Sequence, residues 1–283
     1  MLGHDVQRAG ARAGHEIVPV DLPELDITDA AAVAALLERL REQGPLDGIV
    51  NCAAWADVDG AESNAEAARA VNAEGAGVLA RAAAADGLAL LHFSTDYVFD
   101  GTAPRAADGA PRPYLESDAT NPRSMYGKTK LEGERQVLAA SRSHTVVRTA
   151  WLYGLGGPNF AATMLRLAEE GEVVRVVTDQ IGSPTWSGHL APAILGLLER
   201  GVTGLVHLTG GGHVSWHGFA EEIFRQAEVD CRVEPTTSEH SVRPAQRPAW
   251  SALESERDDV LALPPWQDGL AGYLAARAGM IRR

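Results

Sequence analysis

Short apolar stretches alternate with longer amphipathic stretches along the first half of the chain. Short apolar runs of this kind predict strands, and the amphipathic runs predict helices. The predicted strands cover residues 16–20, 46–50, 88–93 and 145–148. The predicted helices cover residues 29–43, 61–70 and 71–86. This alternation indicates an α/β fold with a doubly wound, parallel sheet.

The alternation loosens after Trp151. Helices are predicted at residues 159–170, 187–200, 215–228 and 266–278, and strands at residues 173–177, 205–208 and 232–235. We therefore predict a main domain over residues 1–150. Residues 151–283 are expected to form mainly a smaller lobe built from discontinuous pieces, with about residues 184–200 returning to the main sheet.

Residues 102–122 are rich in Pro, Gly and Ala, which predicts a surface loop. Loops of this length are often lids or binding loops. We expect the segment to be mobile without ligand and to become ordered when a ligand binds.

Tyr126 and Lys130 are four residues apart at the start of an amphipathic stretch. In a helix this spacing places both side chains on one face. A nearby ammonium favours the phenolate, so Lys130 is expected to lower the pKa of Tyr126. The tyrosine could then exchange a proton with a carbonyl or alcohol oxygen. A single Tyr-x-x-x-Lys pair is usually incidental, so its meaning depends on its neighbours.

Ser94, Thr95 and Asp96 follow directly on the predicted strand at residues 88–93. Side chains at the carboxyl end of a parallel strand lie where open α/β sheets bind their ligands. Taken alone, the three residues would more often form a turn or a helix cap. The order of strand, hydroxyl loop, Tyr/Lys pair and strand resembles the extended short-chain dehydrogenase/reductases. In that superfamily the fold is Rossmann-like, and a Ser or Thr, a Tyr and a Lys act together.

Five sequence runs make the resemblance more specific. They are STDYVFDG at residues 94–101, YGKTKLEGE at 126–134, VRTAWLYG at 147–154, DQIGSPT at 179–185 and RPAWSAL at 247–253. Together they resemble the dTDP-4-dehydrorhamnose reductases over nearly the whole chain. The resemblance implies reduction of the C4 ketone of dTDP-4-dehydro-6-deoxy-L-mannose by NADPH or NADH, which gives dTDP-L-rhamnose. The alternatives are another sugar-nucleotide reductase or epimerase, and a non-catalytic Rossmann regulatory subunit.

The resemblance also implies roles for particular residues. The catalytic set would be Tyr126, Lys130 and Thr95. The dTDP-sugar would contact Thr95, Asp96, Tyr97, Trp151 and Arg247. The dinucleotide would contact Leu2, Gly3, Asp21, Asp26, Ile27, Ala53, Ala54, Trp55, Phe93, Tyr126 and Lys130. Trp151 could equally belong to the core, and Asn72 could either support the lysine through water or simply be bonded to backbone.

A dinucleotide fold normally begins with a strand and a GxxGxxG loop. This chain starts at residues that would match the last glycine, Gly3, and the helix after it. We therefore expect residues 1–150 to be a dinucleotide-binding domain lacking its first strand, with Met1 an internal methionine mistaken for the start. Asp21 could accept from the adenosine ribose or could simply end a turn, and both interpretations stay open.

The composition excludes several classes of protein. The 283-residue chain is 45% hydrophobic and 22% charged, which is typical of a soluble globular protein. Its net charge of −13, without a long Lys/Arg run, argues against binding to nucleic acid or to an acidic membrane surface. It shows no signal peptide and no apolar run of membrane-spanning length, so we expect a cytoplasmic protein. The expected partner is a dTDP-sugar, and the protein could also form a homodimer.

No metal site is predicted. Cys52 and Cys231 are isolated from each other, and the histidines are scattered. Some members of the family that the chain resembles bind magnesium at a dimer interface through acidic residues. Asp5 matches one such position, but its partners would fall near residues 187–189, which carry no carboxylate.

Overall fold

The computed structural model describes residues 1–240 and 243–281. The helices are α1 (Leu2–Ala13), α2 (Ala30–Gln43), α3 (Gly60–Ser63), α4 (Ala65–Arg69), α5 (Ala76–Ala85), α6 (Met125–Ala140), α7 (Phe160–Glu170), α8 (Ser187–Glu199), α9 (Trp216–Ala227) and α10 (Trp266–Ile281). The strands are β1 (Gly48–Asn51), β2 (Ala89–Thr95), β3 (Thr145–Thr149), β4 (Leu152–Tyr153), β5 (Val173–Val177), β6 (Ile181–Gly182), β7 (Thr185–Trp186), β8 (Gly204–His207), β9 (Val214–Ser215), β10 (Arg232–Thr236) and β11 (Trp250–Ser251). A π-helical segment, Ala70–Gly75, leads into α5, and a 3₁₀ turn, Asp96–Val98, follows β2.

The main sheet is parallel and has the strand order β1-β2-β3-β8. Successive side chains of a strand point to opposite faces, and β2 separates two apolar layers in this way. Leu90 packs with α2, α5 and α6, whereas Leu91 packs with α1 and α8. Helices therefore cover both faces of a parallel sheet, which confirms the predicted doubly wound α/β fold.

One predicted strand is wrong. Residues 16–20 pair with no other described segment and are mostly exposed, and β1 lies directly beside β2 instead. A strand needs a neighbouring strand for its backbone hydrogen bonds, and an apolar pattern alone does not supply one. The helix predicted at residues 61–70 is two short helices, α3 and α4, because the backbone of Asn64 is not helical, with φ of −129°. The helix predicted at residues 71–86 begins as the π-helical segment. The remaining predicted helices and strands are present, with ends shifted by a few residues.

A second apolar core lies among α7, α9 and α10. Phe219 and Ile223 of α9 are fully buried in it, together with Tyr153 and Leu270. α8 comes from the segment predicted to return to the main sheet, and it packs on α1 and β2. The exact division into domains at residue 150 stays a prediction. No helix among the described residues is both long and apolar enough to cross a membrane.

The predicted surface loop at residues 102–122 contains no helix or strand. Its second half nevertheless forms hydrogen bonds, both within the loop and to β11 and the residues that follow it. Arg112 bonds to both carboxylate oxygens of Asp118, at 2.6 and 2.7 Å, and Tyr114 N donates to Ala252 O at 2.8 Å. The first half is bonded too, because Arg112 N donates to Pro104 O at 2.9 Å, and mobility of the segment without ligand stays a prediction.

Helix α6 carries the Tyr/Lys pair and has a clear start. The hydroxyl of Ser124 accepts a hydrogen bond from Gly127 N at 3.1 Å. A side-chain cap of this kind typically stabilises a helix by about 1 kcal/mol. The helix ends at Ala140, after which Ser141 adopts extended backbone angles.

Two glycines let α6 lie directly against neighbouring backbone. A Cβ atom at Gly127 would overlap the carbonyl oxygen of Tyr97, and one at Gly133 would overlap the carbonyl oxygen of Asn72. Atoms cannot share this space, so both positions require glycine. α6 can therefore contact both the 3₁₀ turn after β2 and the π-helical segment.

We expect Gly133→Ala to lower the free energy of unfolding by about 1–3 kcal/mol, because the added methyl group must push α6 away from the Asn72 carbonyl. Gly196→Ala is the matched control, since a Cβ there meets no neighbouring atom within 4 Å. The control should be stabilised by about 0.5–1 kcal/mol through higher helix propensity. Urea denaturation of both variants checks this. A Gly133→Ala protein as stable as the wild type would contradict the close approach of α6.

Candidate active site

The end of β2 places two of the predicted residues side by side. Thr95 is the last residue of the strand, and Asp96 begins the 3₁₀ turn that follows. The Thr95 hydroxyl donates to Asp96 Oδ1 at 3.0 Å and accepts from Tyr97 N at 3.2 Å. Both Thr95 and Asp96 are buried.

Tyr126, in the first turn of α6, faces these groups. Its ring lies edge-on to the ring of Tyr97, with the centroids 5.5 Å apart. Burial and the Asp96 carboxylate raise the pKa of Tyr126 to about 12, although a hydrogen bond with Thr95 lowers it. The expectation that Lys130 lowers this pKa is therefore wrong for the ligand-free protein, because burial and Asp96 raise it and Lys130 is not among the groups that shift it.

Lys130 lies one helical turn further along α6 and is 2% exposed. Its amine donates to Phe93 O at 2.5 Å and lies 3.3 Å from His92 Nε2. Burial lowers the pKa of Lys130 to about 8, although Glu134 on the same helix raises it. The four-residue spacing thus brings the amine to β2, where the predicted cofactor residue Phe93 offers its carbonyl oxygen.

Asp96 is a carboxyl group in an unusual environment. Burial raises its pKa to about 7, although hydrogen bonds with Thr95 and Ser251 lower it. Its Oδ2 atom has no hydrogen-bond partner among the described residues. Burial penalises the charged form, so the carboxyl group keeps its proton up to about pH 7. Oδ2 is also an atom that a ligand could use.

Trp151 is bonded to Ser251, whose hydroxyl donates to Ile181 O at 3.3 Å. Its indole N–H donates to Ser251 Oγ at 3.0 Å, and its ring stacks on Trp216 with the centroids 3.4 Å apart. Its backbone is left-handed, with φ of 46°, which is rare for a bulky residue and often marks a functional site. The ring therefore packs with the second core, while its N–H bonds to the RPAWSAL run at Ser251.

Arg247 lines a pocket next to Tyr97. Its Nη2 atom bonds to Asp59 Oδ2 at 2.8 Å, and its guanidinium carbon lies 6.0 Å from the centre of the Tyr97 ring. Arg123 lines the same pocket. Two arginines beside one pocket suit a ligand that carries phosphate groups.

Predicted cofactor residues at the end of β1 form an open edge. Ala53 and Ala54 have small side chains and are exposed. Asn72 Oδ1 accepts from Trp55 N at 2.9 Å, and Asn72 Nδ2 donates to Thr129 Oγ1 at 3.1 Å. This edge is therefore connected to α6 directly beside the buried lysine. Small exposed residues next to a buried amine fit a dinucleotide lying across the ends of β1 and β2.

The start of α1 lies at the same edge of the sheet. No described side chain caps this helix, so the backbone N–H groups of its first turn are available to an anion. Gly3 lies here, and a Cβ on it would come within 3.9 Å of Cys52. Leu2 is buried in the core, so its backbone N–H is the part that could meet a phosphate.

The predicted adenosine contacts lie in the segment between α1 and α2. Asp21 Oδ1 accepts from Leu22 N at 2.8 Å, and Asp26 Oδ1 accepts from Thr28 N at 2.9 Å. Ile27 packs against the layer of α2 and α5. Both interpretations of Asp21, as a ribose acceptor and as a turn residue, therefore stay open.

A family model described as the RmlD substrate binding domain matches residues 1–278. The chain belongs to the RmlD family. A dTDP-4-dehydrorhamnose reductase from Mycobacterium tuberculosis (strain H37Rv) is 45% identical, over 98% of this chain and 90% of that protein. A probable dTDP-4,6-dihydroxy-2-methyloxan-3-one 4-ketoreductase from Streptomyces antibioticus is 41% identical, over 95% of this chain and 88% of that protein.

A solved structure extends this comparison to the fold. The structure of a dTDP-4-dehydrorhamnose reductase from Bacillus anthracis in complex with NADP matches with a TM-score of 0.90 and 35% identity. The match covers 97% of this chain and 95% of that chain. It confirms the Rossmann-like fold, and the relatives together confirm the resemblance that the sequence runs indicated.

The magnesium position known in some members of the RmlD family does not fit a cation here. Asp5 is buried, and its carboxylate bonds to Ser187 Oγ and to Arg8. Within residues 1–240 and 243–281, no group of three His, Cys, Asp or Glu side chains is placed to hold a metal ion. The hydroxyl and the guanidinium already satisfy Asp5, so we assign no step to a metal.

Three polar residues of this RmlD-family site were missed from the sequence. They are His92, Ser251 and Asp59. His92 did carry a signal, because a polar residue inside an apolar strand must find a buried partner. Ser251 lies in the RPAWSAL run but has no pattern of its own, and Asp59 is far from Arg247 along the chain.

We expect the Asp96→Asn protein to lose less folding stability than the wild type as the pH rises. The pKa of Asp96 rises from 3.8 in its ordinary state to about 7 in the folded protein. Between these values the folded protein holds a proton that the unfolded chain has released, so raising the pH destabilises the wild type. This group should contribute a loss of about 2–3 kcal/mol between about pH 5 and about pH 8.

Urea denaturation at several pH values measures this effect. Asp47→Asn, at an exposed position, is the matched control and should follow the wild type. The same dependence on pH in the wild type and in Asp96→Asn would show that the Asp96 carboxyl group is not perturbed.

Proposed function

We propose that this protein is an NAD(P)H-dependent oxidoreductase that reduces the C4 ketone of dTDP-4-dehydro-6-deoxy-L-mannose to give dTDP-L-rhamnose. One observation carries the proposal. The phenol of Tyr126 meets Thr95 and Asp96 at the end of β2, and the amine of Lys130 lies one helical turn away. The activity for which the M. tuberculosis relative is named supports this assignment.

When bound, the reduced dinucleotide supplies a hydride to the C4 carbon of the sugar. Tyr126 donates its phenolic proton to the C4 oxygen, so that C=O becomes CH–OH. The Thr95 hydroxyl bonds to the same oxygen and stabilises the charge that develops there. The raised pKa of Tyr126 keeps the phenol protonated until that oxygen becomes basic, which suits an acid in a reduction.

Lys130 has two roles in this proposal. Its amine would hold the hydroxyls of the nicotinamide ribose when the dinucleotide is bound. Once protonated, the amine also stabilises the phenolate that Tyr126 becomes after giving up its proton. The two residues lie one helical turn apart on α6, which places both at the end of β2.

The dinucleotide would lie across the ends of β1 and β2. Its contacts would be Leu2, Gly3, Asp21, Asp26, Ile27, Ala53, Ala54, Trp55, Phe93, Tyr126 and Lys130. An acid at position 21 without an adjacent Arg favours NADH, whereas the B. anthracis relative holds NADP. Both NADH and NADPH are therefore retained as cofactors.

The dTDP-sugar would lie between the hydroxyl loop and the RPAWSAL run. Thr95, Asp96, Tyr97 and Trp151 would contact the sugar, with Asp96 Oδ2 available to a sugar hydroxyl. Arg247 would contact the diphosphate, and its bond to Asp59 would hold the guanidinium in place.

A second candidate is reduction of a different dTDP-sugar ketone. It is favoured by the S. antibioticus relative, whose name gives it a different sugar. The Tyr126, Lys130 and Thr95 chemistry would be the same, and the sugar contacts would decide the substrate. Comparing kcat/KM for a panel of dTDP-4-keto sugars separates the two candidates.

Three further expectations, about domains, location and partners, belong to this proposal. Residues 1–150 would be the dinucleotide-binding domain and residues 151–283 mainly the substrate lobe. The protein would be cytoplasmic. It could form a homodimer, and we propose no nucleic-acid or membrane partner.

We expect Tyr126→Phe to lower kcat by about 10²–10⁴-fold, because it removes the donated proton and leaves the ring. The affinity for NADPH, measured by fluorescence titration, should stay close to that of the wild type. Tyr273→Phe in the second core is the matched control and should keep wild-type turnover. Turnover of Tyr126→Phe within about tenfold of the wild type would refute the assignment of the acid.

A further inference from the structure

A buried hydrogen-bond chain runs from the end of β1 to Lys130. It begins at Ala53 N, which donates to Asn51 Oδ1 at 3.0 Å. Asn51 Nδ2 lies 2.9 Å from His92 Nδ1, and His92 Nε2 lies 3.3 Å from Lys130 Nζ. Asn51, His92 and Lys130 are 4%, 1% and 2% exposed.

The direction of each hydrogen bond in this chain follows from the one before it. A backbone N–H can only donate, so Asn51 presents its oxygen to Ala53 and its NH₂ group to the ring of His92. The ring must then accept at Nδ1, and a neutral imidazole that accepts at Nδ1 carries its proton on Nε2. Burial and the nearby Lys130 lower the pKa of His92 well below 6.5, so the ring is neutral.

His92 therefore points an N–H group at the amine of Lys130. An ammonium group has three donors and no acceptor, so it cannot receive this hydrogen bond. A neutral amine can accept from His92 Nε2 while it donates to Phe93 O. The lowered pKa of Lys130, about 8, makes this neutral form accessible near neutral pH.

We propose that His92, oriented by Asn51, is a positioning residue that holds the amine of Lys130 in its neutral form at the end of β2 until ligands enter the site. A hydrogen bond to the neutral form of a base disfavours its charged form. The consequence for catalysis rests on the proposed function, whereas the state of Lys130 in the ligand-free protein does not.

The charged groups that face this amine come from several elements. Glu134 lies on α6 and raises the pKa of Lys130, but both of its oxygens bond to Arg148 of β3, at 2.8 and 2.7 Å. Tyr126 and Asp96 lie on the substrate side. Asn51 of β1 bonds to His92 and Asn72 of the π-helical segment bonds to Thr129, and neither amide titrates. His92 is therefore the group whose removal tests the proposal.

Lysine NMR tests this directly, because the chain contains only two lysines, Lys128 and Lys130. With ¹³Cε-labelled lysine the ligand-free protein gives one signal from each, and the exposed Lys128 is an internal reference. His92→Phe removes the N–H donor and keeps a ring of similar size. We expect it to raise the titration midpoint of Lys130 by about one pH unit and to leave Lys128 unchanged.

His144→Phe is the matched control. His144 is fully buried beside the same sheet, where its ring bonds to Leu90 N and Ala80 O. This variant should leave the midpoint of Lys130 where it is in the wild type. A midpoint that stays the same in His92→Phe, or that moves equally in both variants, would overturn the proposal.

A second measurement needs no variant. In ¹⁵N-histidine spectra of the wild type, His92 should be neutral with its proton on Nε2 from about pH 6 to about pH 8. A proton on Nδ1 would leave Nε2 free to accept from an ammonium. That result would overturn the proposal even if His92→Phe fails to fold.

The role in catalysis has its own readout. If the reaction needs Lys130 charged, activity is present below the pKa of Lys130 and is lost above it. His92→Phe should therefore move the alkaline limb of kcat/KM for the dTDP-sugar to higher pH, by about one pH unit. An unmoved limb would overturn the catalytic role. Absence of wild-type activity would overturn the proposed function alone, since the NMR titration would still decide the state of Lys130.

Discussion

The geometry of the candidate site depends on how closely α6 lies against the backbone of two neighbouring segments. Gly127 meets the Tyr97 carbonyl and Gly133 meets the Asn72 carbonyl, where no side chain would fit. Tyr126 and Lys130 lie beside and between these glycines, so backbone contacts set their positions. The pair is thus held at the end of β2 before any ligand binds, which is the preorganisation that catalysis requires.

Burial then determines the charge of the groups that are held there. It raises the pKa of Tyr126 and of Asp96 and lowers the pKa of Lys130. All three changes favour the neutral form, because a poorly solvated site penalises charge of either sign. In the ligand-free site Asp96 and Tyr126 therefore keep their protons to a higher pH than usual. Ligands that bring charge or hydrogen-bonding hydroxyls would change these pKa values. Ligand binding would therefore be coupled to proton transfer.

Periodicity predicted much of the fold, and motif order predicted that Thr95, Tyr126 and Lys130 lie together at the end of β2. The helices of the first half could be predicted from local sequence periodicity. The placement of Thr95, Tyr126 and Lys130 could be predicted from the order of the motifs, because a local pattern of this kind does not depend on distant residues. Residues 16–20 did not form a strand, because a strand depends on a neighbour that its own sequence does not encode. The raised pKa of Tyr126 was missed for a related reason, since burial and the Asp96 charge exist only in the folded chain. The orientation of His92 likewise depends on a distant asparagine.

The most direct test of the central claim follows the atoms that are transferred. The protein would be incubated with dTDP-4-dehydro-6-deoxy-L-mannose and a reduced dinucleotide that carries deuterium on the transferable position of its nicotinamide ring. The account predicts oxidation of the dinucleotide and a dTDP-L-rhamnose product with deuterium on C4 of the sugar. A dinucleotide that is not oxidised, or deuterium that does not reach C4, would contradict it.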